Sequence, residues 1–137
     1  MPKIDGERVV ADLKRLAEFG CYKSGVHRPT YSPVDVSSRH WLAEKLREAG
    51  LDPVIDGIGN VIGRNRSARG RRLLVGSHSE TQPYGGWLDG SLGVIYGLEL
   101  ARAKASRNGV PSSRPRTLSI CSSVSMPVNE WLPRKLW

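Results

Sequence analysis

The sequence predicts a single α/β domain with a mixed sheet, because two kinds of apolar pattern alternate along its 137 residues. Three segments carry apolar residues at the spacing of an amphipathic helix, and short apolar runs bounded by glycine lie between and beyond them. In chain order the pattern predicts helix, helix, hairpin, strand, helix and strand. Right-handed connections between such elements place helices against the sheet.

The first helix is predicted near residues 5–19, with Asp5 as a candidate N-cap and Gly20 at its end. Its apolar residues share one face at helical spacing: Val9, Val10, Leu13, Leu16 and Ala17. Residues 21–31 lack periodicity and contain glycine and proline, so a loop is predicted there. His27, within this segment, is interpreted as a surface imidazole and not as a metal ligand.

The second helix is predicted to begin with a capping box formed by Ser32 and Asp35, and to stop at Gly50. Its apolar face comprises Trp41, Leu42, Leu46 and Ala49. His40 lies beside that face and is interpreted as a structural residue. Arg39 is interpreted as an ordinary solvated charge.

A hairpin and a further strand are expected before the third helix. Two short strands at 51–56 and 60–64 are predicted to pair, because Gly59 and Asn60 supply the positive-φ positions that a tight connection needs. The strand at 60–64 is expected at the edge of the sheet. The apolar run at 73–75 is expected to be a buried, central strand.

The loop after that central strand concentrates the candidate metal ligands, which are His78, Glu80 and Asp89. Glycines flank them at positions 76, 85, 86 and 90. Because ligands bind at the carboxyl ends of strands in open α/β sheets, an imidazole and two carboxylates there favour a metal site. A neutral imidazole nitrogen and carboxylate oxygens suit zinc, and carboxylates also suit manganese. Polar decoration of a surface loop is the alternative that the spacing alone leaves open.

The phrase G-S-H-S-E-T followed by G-G-W-L-D-G-S-L-G-V resembles the metal-site loop of the M20 peptidase superfamily. More narrowly, it is similar to the group of N-carbamoyl-L-amino acid hydrolases, β-ureidopropionases and allantoate amidohydrolases. The resemblance implies two divalent ions, zinc or manganese, with His78 as a ligand of one ion and Asp89 bridging both. Glu80 stands where the family has an Asp that orients the imidazole. The resemblance also implies a small-molecule N-carbamoyl or ureido substrate.

Two further phrases carry the same resemblance. G-V-H-R is similar to a family element near the active-site mouth, and D-G-I-G-N-V-I-G-R is similar to a phrase of the carbamoylase group. The fold that the resemblance implies is the three-layer α/β/α catalytic domain of the zinc-exopeptidase-like type, here in partial, truncated form. A partial sheet leaves an unpaired edge and an uncovered face, so self-association through the exposed sheet is expected.

The resemblance ends abruptly, so residues 1–118 are assigned to the N-terminal part of the catalytic domain and 119–137 to an off-pattern basic tail. One further strand is predicted at 117–121. Where family members carry an acidic pair, D-E-E-G or similar, this chain has only Glu130, in unrelated surroundings. A shifted or truncated reading frame would explain the change, and a D-E-E-G encoded in another frame beyond codon 118 would establish it. The chain alone is then expected to be an inactive fragment, with a non-catalytic binding module as the alternative.

Composition limits the partners. The net charge of +8 comes mostly from an arginine-rich segment at 64–72 and from the region after position 106. Because neither forms a basic helical stripe with stacking aromatics, nucleic-acid binding is the least favoured function.

No apolar run approaches the ~18 residues of a membrane span, and the N-terminus does not resemble a signal peptide. Cys21 and Cys121 form no C-x-x-C pair, so a reduced, cytoplasmic setting is expected.

Overall fold

A computed structural model describes residues 3–65, 72–105 and 117–123 of the chain. Within these residues the helices are α1 (Gly6–Glu18), α2 (Pro33–Glu48) and α3 (Ser91–Ala105). The strands are β1 (Cys21–Tyr22), β2 (Gly25–Val26), β3 (Asp52–Ile55), β4 (Val61–Arg64), β5 (Arg72–His78) and β6 (Thr117–Ser123). The order of elements follows the prediction, except that a short hairpin, β1–β2, replaces the predicted loop. Among the described helices, none combines the length and the apolar character that a membrane span requires.

The sheet is mixed, as predicted, and its strand order is β3-β4-β6-β5. β3 pairs with β4 and β4 with β6 in antiparallel fashion, whereas β5 and β6 run parallel. β6 follows α3 in the chain and enters the sheet between β4 and β5. The prediction of an edge strand at 60–64 is therefore wrong, because β4 is internal and β5 is the outer strand on that side of the described sheet.

β5 is also less buried than the apolar run at its start predicts. Leu73 is 62% exposed and Leu74 is 63% exposed, whereas Val75 packs against the core. The physical reason is the outer position of β5, which has a partner strand along one edge within the described part of the chain. Association of chains through this exposed stretch stays a prediction.

Parts of the predicted organisation lie outside the described residues. These are the arginine-rich stretch at 66–71 and the tail from 124 onward, which includes Glu130. The predicted division after residue 118 falls inside β6, which continues to Ser123 and pairs with β5 over its whole length. The division of the chain at that point stays a prediction.

The apolar core joins the helices to the sheet. α1 packs on α3, α3 packs on β5 and β6, and α2 packs on β3 and β4. The least exposed apolar residues of the core are Leu16, Leu42, Val61, Ile95 and Leu98. Gly93 of α3 lies against β5, where an added Cβ would come within 2.9 Å of the Ser77 Cβ. This close approach fixes the first turn of α3 against the carboxyl end of the strand.

The helix starts agree with the predicted caps, although one cap is only half formed. Asp5 caps α1 by accepting the backbone N–H of Arg8. Ser32 caps α2 by accepting the Asp35 N–H at 3.3 Å. The Asp35 carboxylate does not return to Ser32 and instead accepts the Tyr31 N–H at 2.9 Å. The capping box is incomplete because the Ser32 N–H donates to the Pro29 carbonyl at 3.0 Å, and the Asp35 carboxylate has a charged partner elsewhere.

That partner is Arg39, which is 3% exposed, so its interpretation as a solvated charge is wrong. Its Nε donates to the Asp35 carboxylate at 2.8 Å, and its Nη1 donates to the Gly59 carbonyl at 2.5 Å. The buried ion pair therefore ties α2 to the turn between β3 and β4. In that turn Gly59 has a positive φ of 86°, whereas Asn60 donates to the Asp56 carboxylate with its backbone and side-chain N–H groups. Only the glycine meets the expectation of a positive φ.

A second buried carboxylate ties α1 to α3. Glu99 is 1% exposed and accepts two hydrogen bonds from Arg8, at 2.9 Å from Nε and at 2.7 Å from Nη2. It accepts a third from the Asp5 backbone N–H at 2.9 Å, and Arg102 extends the network to Asp12. The hydrogen bond from Arg8 is the main reason that the pKa of Glu99 lies below its ordinary value.

We expect Glu99→Gln to destabilise the chain by about 1–3 kcal/mol near pH 7, because charged hydrogen bonds to a buried carboxylate are lost. A depressed carboxyl pKa contributes stability that is present above the unfolded-state value, about 4.3. That stability is lost as the pH falls through the lower folded-state value, so the difference between the two proteins should shrink below about pH 4. Urea denaturation of both proteins across this range measures the difference. A difference that does not change with pH would contradict the assigned ion pair.

Candidate metal centre

His78 is the last residue of β5, and the loop that follows it returns to the same place at Gly90. Gly90 has a positive φ of 69°, and a Cβ built there would lie 2.5 Å from both Cε1 and Nδ1 of the imidazole. The backbone therefore packs directly against the ring. This contact holds the side chain at the carboxyl end of the strand, where the sequence predicts a metal site.

Of the three predicted site residues, Glu80 and Asp89 both lie beside the imidazole of the third, His78. Nδ1 of His78 lies 3.2 Å from the carbonyl oxygen of Glu80 and 3.3 Å from Oε1 of the same residue. On the other side of the ring, Nε2 lies 3.7 Å from Oδ2 of Asp89. One carboxylate thus faces each nitrogen.

The partners of the imidazole decide which nitrogen has a free lone pair. A neutral imidazole has one donor nitrogen and one acceptor nitrogen. Nδ1 faces two acceptor oxygen atoms of Glu80, so in the tautomer with its hydrogen on Nδ1 the ring donates to that residue. In that tautomer Nε2, on the side of Asp89, is left with the lone pair that a metal ion needs, as in a metal-ligating histidine whose other nitrogen is held by an oxygen.

The extra methylene of Glu80 does not keep its carboxylate away from the ring. The side chain is largely buried, and Oε1 reaches Nδ1 of His78. Oε2 is buried without a hydrogen-bond partner among the described residues. The backbone carbonyl of Glu80 lies at an equally short distance from the same nitrogen, so main chain and side chain share the contact.

The side chain of Asp89 is 83% exposed and lies just before α3. Nitrogen and oxygen ligands about 2.1 Å from a tetrahedral zinc ion lie roughly 3.4 Å apart. The 3.7 Å between Nε2 of His78 and Oδ2 of Asp89 therefore fits one ion between them. Over the described ranges, no group of three His, Cys, Asp or Glu side chains could hold an ion. The pair is a partial ligand set.

Arg28 lies beneath this loop, and sequence reasoning assigned it no role. It is fully buried and donates to the carbonyls of Ser79, Leu16 and Phe19 and to Oγ of Ser91. Burial lowers the pKa of its guanidinium to about 10, so the group remains charged at neutral pH. In the sequence, Arg28 attracts notice as the last residue of the phrase G-V-H-R, but this phrase does not reveal that the side chain is buried.

The other two histidines do not take part in the ligand pair. His27 is half-buried: its ring stacks on Tyr84 with centroids 4.8 Å apart, and its Nδ1 has no hydrogen-bond partner among the described residues. Its interpretation as a surface imidazole is wrong in this respect, because Tyr84, from the loop before Asp89, covers the ring. His40 is exposed on α2, so its interpretation as a structural residue is also wrong.

Known proteins resemble the chain in sequence and in fold, although no protein-family model matches it. It is 32% identical over 117 residues to an N-carbamoyl-L-amino-acid amidohydrolase of Paenarthrobacter aurescens, which covers 84% of this chain and 28% of that protein. It is 31% identical over 104 residues to allantoate deiminase 2 of Glycine max, with 74% and 22% covered. A crystal structure of a hydantoinase/carbamoylase family amidase from Burkholderia phymatum is 50% identical, with a TM-score of 0.81 over 89% of this chain and 29% of that one.

These similarities agree with the α/β architecture of the chain. The chain belongs to the hydantoinase/carbamoylase group that includes N-carbamoyl-L-amino-acid amidohydrolases and allantoate deiminases. It spans less than a third of the length of these relatives. The expected group of N-carbamoyl-L-amino acid hydrolases and allantoate amidohydrolases and a partial α/β fold are thereby confirmed.

We expect Gly90→Ala to displace the His78 ring, because the added Cβ would occupy the space of Cε1 and Nδ1. Gly50→Ala is the matched control, since Gly50 has a positive φ of 78° but nothing within 4 Å of an added Cβ. Both variants carry the strain of left-handed backbone, about 1–2 kcal/mol, and Gly90→Ala adds the clash. NMR spectra of the three histidine rings should change at His78 in Gly90→Ala alone. Equal changes in both variants would contradict the packing described.

Proposed function

We propose that the chain is the N-terminal part of a metal-dependent amidohydrolase of the M20 superfamily, which cleaves linear C–N bonds such as those of N-carbamoyl amino acids. The observation that carries the proposal is the imidazole of His78, held at Nδ1 by Glu80 and facing Asp89 with Nε2. Relatives named N-carbamoyl-L-amino-acid amidohydrolase and allantoate deiminase support the substrate class. Zinc and manganese are the ions that this donor set suits.

Each of the three residues has a distinct role in this proposal. His78 would hold one ion through Nε2, and Asp89 would be a ligand that this ion shares with a second one. Glu80 keeps the hydrogen on Nδ1, so the lone pair of Nε2 stays available to a ligand. A bound divalent ion supplies Lewis-acid polarisation of a carbonyl and activation of water. Because Asp89 is exposed whereas Glu80 is largely buried, the ligand pair opens towards solvent, from which a small substrate can approach.

The proposed setting is the cytoplasm, with a small-molecule N-carbamoyl or ureido substrate. Cys21 is a free, exposed thiol, which suits a reducing compartment. Nucleic acid is not a proposed partner, because the arginine-rich segment at 64–72 contains glycine and serine and no stacking aromatic residues.

For the 137-residue chain by itself we propose no turnover. Two metal ligands among the described residues fall short of the three protein ligands that a catalytic zinc ion usually has. A non-catalytic remnant that binds divalent ions weakly is the second function, and this shortage of ligands favours it.

We expect the purified chain to bind zinc or manganese weakly, and His78→Ala to abolish the binding, because half of the ligand pair is then lost. His40→Ala is the control, since His40 is an exposed imidazole on α2. Isothermal calorimetry on the three proteins measures the affinity. Tight, stoichiometric binding by the wild type would show that further residues complete the site. Equal affinities of wild type and His78→Ala would remove His78 from the proposal.

The function is tested in a chimera in which residues 1–118 replace the matching segment of a full-length family amidase. We expect the chimera to hydrolyse a substrate among N-carbamoyl amino acids, ureidopropionate and allantoate when zinc or manganese is supplied. Asp89→Asn in the chimera should lower kcat by roughly a thousandfold or more, since Lewis-acid stabilisation is worth several kcal/mol. Hydrolysis that survives this substitution would refute the role of Asp89. A folded, metal-loaded chimera without activity on these substrates would refute the substrate class.

A further inference from the structure

We propose that Arg28 is a positioning residue for the metal ligands. It fixes both flanks of the loop that carries them and thereby selects the tautomer of His78. The inference rests on the proposed function for the identity of the ligands, whereas the contacts that support it are hydrogen bonds within the described chain.

On the flank before the loop, Arg28 holds the two neighbours of Glu80. Its Nε donates to the Ser79 carbonyl at 2.8 Å. Its backbone N–H donates to Oγ1 of Thr81 at 2.9 Å, and its carbonyl accepts the Thr81 N–H at 2.9 Å. Because both neighbours are fixed, the Glu80 carbonyl is held 3.2 Å from Nδ1 of His78. Glu80 therefore links the two positions that Arg28 restrains to the imidazole of His78.

On the flank after the loop, Nη2 of Arg28 donates to Oγ of Ser91 at 3.3 Å. Ser91 is the first residue of α3, and its N–H donates to the Asp89 carbonyl at 2.7 Å. The same guanidinium thus sets the distance between the strand end that carries His78 and the helix start that follows Asp89. The separation of the two ligands depends on both contacts.

Nη1 anchors this arrangement to the last turn of α1, where it donates to the carbonyls of Leu16 at 2.6 Å and Phe19 at 2.9 Å. An arginine has five donors in a rigid, planar fork, and this geometry lets one side chain reach α1, the loop and α3 together. A lysine keeps the charge but directs its donors from one point on a flexible stem. Since Arg28 is fully buried, solvent does not replace the bonds that a lysine would leave unmade.

Arg39 provides a matched control for the burial of a guanidinium. It is almost as buried as Arg28 and also donates to a main-chain carbonyl. Its partners Asp35 and Gly59, however, lie outside the loop at 79–90, which we call the metal loop. An arginine that only supported folding would change the free energy of unfolding and leave the tautomer of His78 as it is. A positioning residue would change the tautomer while the chain stays folded.

The experiment compares wild type, Arg28→Lys and Arg39→Lys by NMR of ¹⁵N-labelled histidine rings at about pH 8, above the ordinary imidazole pKa of about 6.5. His78→Gln identifies the His78 signals among those of the three histidines. We expect His78 to carry its hydrogen on Nδ1 in wild type and Arg39→Lys, and to exchange between both tautomers in Arg28→Lys. Zinc affinity, measured by calorimetry on the same samples, should fall about tenfold or more in Arg28→Lys alone.

An unchanged Nδ1–H tautomer in folded Arg28→Lys would overturn the inference, and so would an equal change in Arg39→Lys. If Arg28→Lys does not fold, Ser91→Ala decides, because it keeps Arg28 but removes the hydroxyl that accepts from Nη2. Ser91→Ala should lower the zinc affinity, because the separation of His78 and Asp89 then loses one of its restraints, and an unchanged affinity would overturn the inference. A tautomer change in a chain that binds no zinc would contradict the proposed function and still support the positioning role.

Discussion

The rest of the structure depends on a single buried charge, the guanidinium of Arg28. Removal of an ion from water costs several kcal/mol unless hydrogen bonds and opposite charges compensate for it. Here the compensation comes partly from the carbonyl groups of Leu16 and Phe19 at the end of α1, which carry the negative end of its dipole. The cation and the helix end therefore satisfy each other. The remaining donors of Arg28 reach the metal loop and α3. The side chain that caps the end of α1 therefore also positions the site.

Opposite charges around Arg28 extend this dependence to α2. Asp35 and Glu80 raise the pKa of the Arg28 guanidinium against the larger effect of burial, and Arg39 lowers it. Two cations and two carboxylates thus occupy the interior between the start of α2 and the metal loop. Removal of Asp35 or Glu80 would therefore leave the Arg28 guanidinium with less opposite charge in a poorly solvated region. The electrostatic environment of Glu80 consequently extends beyond its own loop.

How much the sequence could predict depends on how local each interaction is. Asp5 and Ser32 mark helix starts correctly because a cap bonds a residue three positions away. His78 and Asp89 were identified because the motif and the apolar periodicity place them at a strand end and before a helix. The outer position of β5 was not predictable in this way, since β6 enters the sheet from beyond α3. The burial of Arg39 depends on the Gly59 carbonyl, a tertiary partner that helical spacing does not reveal.

The parallel pairing of β5 with β6 also has a consequence for synthesis on the ribosome. Arg72 pairs with Thr117, so 45 positions separate the two partners in the chain. Because a chain is synthesised at about 5–20 residues per second, each residue of β6 is added roughly two to nine seconds after its partner in β5. During that time the free edges of β4 and β5 both expose unpaired backbone groups. Direct pairing of these two edges would occupy the position that β6 takes between β4 and β5 in the folded sheet. Correct folding therefore requires that β4 and β5 do not pair with each other before β6 has been synthesised.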